Sequence, residues 1–213
     1  MKNFSNKYIF IYITVLVIIV AVLLALASIT LQPRQNENRK IESYTQILMA
    51  AGYSGNEISG RSVIKTYQQV ADSVLTDNNL LVIKVKTEDG SHNYIIPLRG
   101  KGLWGPVWGY IAVAADGNTI AGAVFAHKGE TPGLGAEIAN PQFSDEFKGK
   151  QLFDENGEFV SIRVVKGGVA NSNINPLHGV DAITGGTVTS NGVDKMLKDC
   201  LGRYKEFLKK LRQ

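Results

Sequence analysis

The sequence predicts an α+β domain, an antiparallel sheet with packed helices, preceded by one N-terminal transmembrane helix. Three observations lead there. Ile9 to Ile29 is an almost wholly apolar run without a charge. Between Leu80 and Ala126, short β-branched and aromatic runs alternate with turn residues at hairpin spacing. Near the C-terminus, apolar side chains recur at helical spacing from Val193 to Leu211.

The apolar run carries only Tyr12, Thr14 and Ser28 as polar groups. About 20 apolar residues cross a bilayer as a helix, so the run is read as a membrane anchor. The competing reading is a cleaved signal peptide, with Lys2 and Lys7 as its basic start and Ala25-Leu26-Ala27 as its small-residue cleavage site. The run exceeds the roughly 7–15 apolar residues of a signal-peptide core, which favours a retained anchor. Lys2 and Lys7 precede it, and Arg34, Arg39 and Lys40 follow it. A short basic tail is readily kept inside while a large domain crosses, so the expected orientation has the N-terminus inside. The expected division is an anchor over 1–34 and one domain over 35–213.

Gln32-Pro33-Arg34-Gln35 ends the apolar run. A helix is expected from Asn36 to Ala51, with Ile41, Tyr44, Ile47, Leu48 and Ala51 on one face and Gly52 as its stop. A second helix is expected from Ser62 to Leu75. The period then changes to strands at Leu80–Lys86 and Tyr94–Leu98, joined through Glu88-Asp89-Gly90-Ser91. A third strand, Tyr110–Ala114, turns at Asp116-Gly117-Asn118 into a fourth, Ile120–Ala126. A short helix near Phe143 to Phe147 and the turn Glu155-Asn156-Gly157 lead to a fifth strand, Phe159–Val165. The last helix is expected from Asn191 to Leu211, its apolar stripe including Met196, Cys200, Tyr204 and Leu208.

Composition excludes several functions. The net charge is +4, and the basic residues are scattered apart from Arg203, Lys205, Lys209, Lys210 and Arg212. These lie on the last predicted helix and read as a solvated face, so nucleic-acid binding is not indicated. The single cysteine, Cys200, allows neither an internal disulfide nor a Cys-rich metal site and reads as a core residue. His92, His127 and His178 lack metal-ligand spacing and read as structural or surface groups. No G-x-G-x-x-G opens a helix after a strand, so a Rossmann NADH site is not indicated.

Asp181-Ala182-Ile183-Thr184-Gly185-Gly186-Thr187-Val188-Thr189-Ser190 precedes the last predicted helix. Adjacent glycines allow close backbone approach, hydroxyls surround them, and a helix start favours an anion. Physical chemistry therefore reads the segment as a phosphate site. Two further glycine-dense loops run from Arg99 to Gly109 and from His127 to Glu137. Trp104 offers a flat apolar face, while Glu130, Thr131 and backbone N–H groups can address the polar edges of a planar ligand. From composition alone, a ligand role and a purely structural turn remain equally open for these loops.

The decapeptide resembles the Asp-x-x-Ser/Thr-Gly-Ala-Thr-x-Ser/Thr signature at which a flavin transferase attaches FMN, through its phosphate, to the second threonine. Asp181, Thr184, Gly185, Thr187 and Thr189 fit it. Gly186 stands where alanine is usual and adds no bulk. Over essentially its full length the chain is similar to the C subunits of the sodium-translocating NADH:quinone reductases. The matching pieces are the single span, Leu31-Gln32-Pro33-Arg34-Gln35-x-x-Asn38, Gly100-Lys101-Gly102-Leu103-Trp104-Gly105, Glu130-Thr131-Pro132-Gly133-Leu134-Gly135, Asn140-Pro141 and the threonine motif. The Glu-Thr-Pro-Gly-Leu-Gly segment and the threonine motif are shared with the G subunit of the Rnf complex. The Gly-Leu-Trp loop and the Pro-Arg-Gln exit look more like the first family.

The resemblance implies a covalent FMN on Thr187, with Glu130, Thr131, Leu134 and Gly135 near the flavin and Asp181, Thr184 and Gly185 in the motif read by the transferase. It implies an electron-relaying component of a bacterial inner-membrane complex that oxidises NADH, reduces ubiquinone and exports sodium, with the FMN domain on the outer side. Partners are then the other subunits, the membrane and, for maturation, the flavin transferase. The alternatives are the Rnf G subunit and a membrane-anchored module that holds its ligand non-covalently.

Overall fold

A computed structural model describes residues 5–54, 58–76, 79–87 and 90–212. The chain divides into two units, Met1–Glu42 and Ser43–Gln213. One helix, α1 (Asn6–Ala51), crosses that division. In the first unit every described residue from Ser5 to Asn36 is exposed, and the helix is long and apolar enough to cross a membrane. The Thr14 hydroxyl donates to the Phe10 carbonyl at 2.9 Å, and that of Thr30 to Leu26 at 3.0 Å. Hydroxyls on an apolar helix are thus satisfied by its own backbone. The helix expected from Asn36 to Ala51 is not separate from the apolar run, because α1 continues through Pro33. Proline forfeits one backbone hydrogen bond, and the helix-favouring Arg, Gln, Glu and Lys residues that follow carry the helix onward.

The second unit is built on a five-stranded antiparallel sheet in sequential order, β1 (Ala71–Leu75), β2 (Leu81–Lys86), β3 (His92–Lys101), β4 (Pro106–Val113) and β5 (Ile120–His127). Of the expected β2–β3 turn, Glu88 and Asp89 lie outside the described residues. Gly90 is in the left-handed region at φ 85°, which a residue without a Cβ adopts freely. Helix α2 (Ser62–Val70) is shorter than expected, since residues 71–75 form β1 and pair with β2 from Ala71↔Val85 to Leu75↔Leu81. The open edge of β2 decides this conformation, a tertiary effect that local periodicity does not carry.

Phe143, on the short helix α3 (Pro141–Asp145), joins Phe125 and Phe147 in an aromatic triad with ring centroids 4.9–5.4 Å apart. On the same side of the sheet lie α4 (Thr187–Gly202) and α5 (Lys205–Leu211). Here Ile96, Leu98, Ile111, Val193, Leu197, Leu201 and Leu208 are buried together. The end of α1 covers the other face. Ala50 and Ala51 are buried there, Asn93 donates to the Ala51 carbonyl, and Gly122 leaves no room for a Cβ beneath the Ala50 carbonyl.

The single C-terminal helix expected from Asn191 is instead two. It starts four residues earlier and breaks at Arg203-Tyr204, where Gly202 weakens it and the Tyr204 hydroxyl reaches the Leu81 carbonyl at 2.9 Å. The strand expected over 159–165 is also reduced. Only β6 (Arg163–Val165) remains, pairing in parallel with β7 (Gly179–Asp181).

Ser161 interrupts that strand. It is buried, sits at φ 62°, and its hydroxyl has no partner among the described residues. The left-handed conformation costs an L-residue about 1–2 kcal/mol, and an unsatisfied buried hydroxyl about 1–3 kcal/mol. Ser161→Gly relieves both against roughly 0.5–1 kcal/mol of backbone entropy. It is expected to stabilise by about 1 kcal/mol and to exceed Ser161→Ala in thermal unfolding. Equal or lower stability of the glycine variant contradicts this account.

Candidate functional site

Three segments converge at one end of the sheet. The β3–β4 ladder runs out to Lys101↔Pro106, further than the expected strands. The connection is therefore a tight turn, with the Gly102 N–H donating to the Gly105 carbonyl at 2.8 Å. The second segment follows β5. The N–H groups of Leu134 and Ala136 both donate to the Thr131 carbonyl at 3.1 Å, and a 3₁₀ helix spans Gly135–Ala139. The third is the first turn of α4. Gly185 at φ 75° and the non-helical Gly186 turn the chain so that Thr187 is the first helical residue.

Glu130 joins all three. It is 4% exposed. One carboxylate oxygen accepts the Trp104 N–H at 2.9 Å, and the other accepts the Thr189 hydroxyl at 2.5 Å. Burial alone would raise its pKa. The Thr189 hydroxyl and the N–H groups of Trp104, Leu103 and Gly105 outweigh that and hold the carboxyl below the usual range. Successive amides in a turn make an anion-binding concavity, and here the protein's own carboxylate occupies it. Bonds to a charged group contribute about 1.5–3 kcal/mol each. Because the folded-state pKa is depressed, this stabilisation holds above the ordinary carboxylate range and is lost as pH falls through the lowered value. Glycines on either side make the enclosure possible. A Cβ at Gly102 would lie 2.6 Å from one Glu130 oxygen, and one at Gly135 would lie 2.7 Å from the other.

Above the carboxylate lies a cavity of about 110 Å³, lined by Leu103, Glu130, Thr131, Leu134, Gly135 and residues 185–189. Of the residues expected from the sequence, Glu130, Thr131, Leu134, Gly135, Gly185, Gly186 and Thr187 meet there. Leu134 packs on Gly185, where an added Cβ would lie 2.5 Å from its methyl. Thr184 is exposed and borders a neighbouring hollow of about 290 Å³ instead. Trp104 contributes its backbone N–H to Glu130, but its side chain is 70% exposed and does not line the cavity. Asp181 also stands apart. Its carboxylate accepts the Val169 N–H at 2.7 Å, and its own N–H donates to Glu146 at 2.7 Å. Its side chain therefore braces the turn before the 3₁₀ segment Val169–Asn171.

Leu103 and Val188 line the cavity without standing out in the sequence as site residues. The available signal for Leu103 is its place between Gly102 and Trp104. For Val188 it is the helix start, which lies inside the threonine motif rather than after it. Of the histidines, His127 Nδ1 accepts the Glu130 N–H at 3.1 Å and His178 Nδ1 pairs with the Gln151 carbonyl at 2.7 Å. Among the described residues no group of three His, Cys, Asp or Glu side chains could hold a metal ion.

The helix start can receive an anion, the glycines admit close backbone approach, and Leu103, Leu134 and Val188, 43–53% exposed, can lie against a planar group. Fold and site thus define a small α+β ligand-binding domain that follows an apolar helix in the chain, and residues 102–202 match the model of the FMN-binding domain family. The chain is 40% identical to the C subunit of the Na⁺-translocating NADH-quinone reductase from Parabacteroides distasonis. That crystal structure superposes with a TM-score of 0.73, covering 84% of this chain and 96% of that one. It is 30% identical to the Pseudomonas aeruginosa C subunit over 87% of this chain and 88% of that protein. Against the Vibrio alginolyticus C subunit it is 41% identical over 71% of its own length, and the match spans 59% of that relative. The chain belongs to the family of C subunits of the Na⁺-translocating NADH-quinone reductases.

Proposed function

We propose that this chain is the FMN-carrying electron-transfer subunit of a Na⁺-translocating NADH-quinone reductase, with FMN joined by a phosphodiester to Thr187. The observation that carries the reading is the position of Thr187. It is the first residue of α4, half-buried in the cavity wall, and lies across from the Glu130–Gly135 loop. In the first helical turn, the N–H groups of Thr187, Val188 and Thr189 have no intrahelical acceptor. They and the helix dipole favour a phosphate there. On transfer of FMN by a flavin transferase from an activated flavin dinucleotide, the Thr187 oxygen bonds to the FMN phosphorus as the donor's phosphoanhydride bond breaks, so that a nucleoside monophosphate leaves and the hydroxyl proton goes to solvent.

A cavity of about 110 Å³ is smaller than the roughly 300–1,000 Å³ that encloses a whole ligand. It therefore suits one end of FMN, leaving the ring against exposed Leu103, Leu134 and Val188. Trp104, with its side chain exposed, and Thr131, in the wall, are positioned for ring edges. Asp181 and Thr184, outside the cavity, fit recognition or support of the motif rather than ring contact. When bound, FMN supplies one- and two-electron transfer. The chain's own part is to retain and orient it, independently of affinity, while leaving an edge accessible to neighbouring subunits.

α1 fits a single-pass anchor in the bacterial inner membrane, with residues 1–34 as the anchor, the N-terminus cytoplasmic and the FMN domain over 35–213 outside. The complex takes electrons from NADH toward ubiquinone and couples them to sodium export. NADH oxidation belongs to another subunit, in line with the lack of a dinucleotide fingerprint. The relatives carry the name of the sodium pump, so the Rnf counterpart is not favoured.

One experiment tests the whole reading. Full-length chain made together with the flavin transferase is expected in washed membranes, with a covalent flavin that dithionite reduces rapidly and NADH only very slowly. Flavin bleaching by NADH at rates on the order of 10 s⁻¹, typical of turnover, would make this chain a dehydrogenase in its own right. Recovery of the protein in the soluble fraction would remove the anchor.

A further inference from the structure

Two segments that the sequence presents as separate motifs are one structure. The last hydroxyl of the threonine motif, Thr189, donates to Glu130, which opens the Glu-Thr-Pro-Gly-Leu-Gly loop 59 positions earlier. Neither group is available to solvent, since Thr189 is 1% and Glu130 4% exposed. The Glu130 carboxylate is also held by the amides of the Gly102–Gly105 turn. The donors around it are neutral, and among the described residues no cation is a hydrogen-bond partner of it. A full negative charge thus sits in the cavity wall, one residue from Thr131 and within the same lining as Thr187.

We infer that Glu130 and Thr189 form an internal clasp that positions the three site segments and sets the electrostatic bias on the bound group. Glu130 is a positioning residue whose fixed charge opposes the addition of electrons to a ligand in this cavity. The Thr189 hydroxyl partly compensates that charge. The clasp gives the motif's last hydroxyl a role on the protein side, away from the ligand. The inference rests on the FMN reading for its redox consequence and on the geometry alone for its structural one.

The two partners can be separated because their removal acts in opposite directions. Glu130→Gln keeps the shape and an acceptor for the Trp104 N–H but removes the charge. Thr189→Val keeps the shape and the charge but removes a compensating donor. In flavinylated full-length protein, Glu130→Gln is expected to move the flavin midpoint potential positive by at least ~30 mV, a tenfold change in a two-electron equilibrium. Thr189→Val is expected to move it negative. In flavin-free protein both variants are expected to speed amide hydrogen exchange at Leu103, Trp104 and Gly105, because Glu130→Gln replaces the charged acceptor of these groups by a weaker neutral one and Thr189→Val frees the carboxylate from its second anchor.

An unchanged potential in Glu130→Gln, or shifts of the same sign in both variants, overturns the electrostatic role. Unchanged exchange at residues 103–105 overturns the clasp. If Glu130→Gln does not fold, the sign of the Thr189→Val shift still decides, and a positive or absent shift contradicts the inference. Failure of the FMN reading is distinguishable, since wild-type protein would then carry no covalent flavin, whatever the exchange data show.

Discussion

Thr187→Val is expected to yield a folded protein with no covalent flavin and no fluorescent band on a denaturing gel. Valine is close in shape to threonine, and Thr187 is only half-buried at the helix start. Losing its hydroxyl therefore leaves the fold intact, while the ester has no oxygen through which to form. The effect is expected to be all-or-none because none of the other hydroxyls of the threonine motif can replace it. Ser190 accepts the Ile183 N–H at 3.0 Å and Thr189 is committed to Glu130, both buried. Thr184 is exposed but lines a different hollow. Intact-mass measurement checks the result. Flavin retained on Thr187→Val protein would end the assignment.

The second large effect is expected at Gly192, on the face of α4 that meets the sheet. A Cβ there would run into the backbone carbonyl of Lys101, with the Lys101 carbonyl carbon at 3.2 Å and the Gly102 Cα at 3.5 Å. A flexible side chain could yield, but the end of β3 is held by its ladder to β4. Overpacking typically costs about 1–3 kcal/mol, and a backbone obstacle places Gly192→Ala at the upper end. For a domain of this size that is a fall in Tm of roughly 6–12 °C. The same displacement lifts α4 from the Gly102–Gly105 turn, so flavin attachment should fall as well. An unchanged Tm would show that α4 does not lie against β3 at this distance.

Local signals made part of this molecule legible. The apolar run, the hairpins around Gly90 and Gly117, and the stripe from Val193 to Leu208 each depend on residues close in sequence. So does the threonine motif, whose glycines, hydroxyls and helix start lie within one decapeptide. The features that escaped depend on distant partners. Residues 71–75 are a strand because β2 offers an edge, and β6 is parallel because β7 lies beside it. The last helix breaks so that Tyr204 can reach Leu81.

The candidate site divides the same way. Glycines 102, 135, 185 and 186 announce close approaches but not what they approach. Glu130 is expected from the sequence as a ligand contact, and its backbone and hydroxyl donors show it to be also the centre of the enclosure. Trp104 stands out for its ring, yet its N–H makes the internal contact. Asp181, conspicuous as the first residue of the motif, bonds to the Val169 turn outside the cavity.

The most direct test of the central claim is a peptide map of the wild-type, full-length chain made with the flavin transferase. The peptide containing Thr187 is expected to carry the mass of one FMN less one water, and fragmentation is expected to place it on that residue alone. An unmodified Thr187 peptide, or flavin on any other residue, would contradict the account.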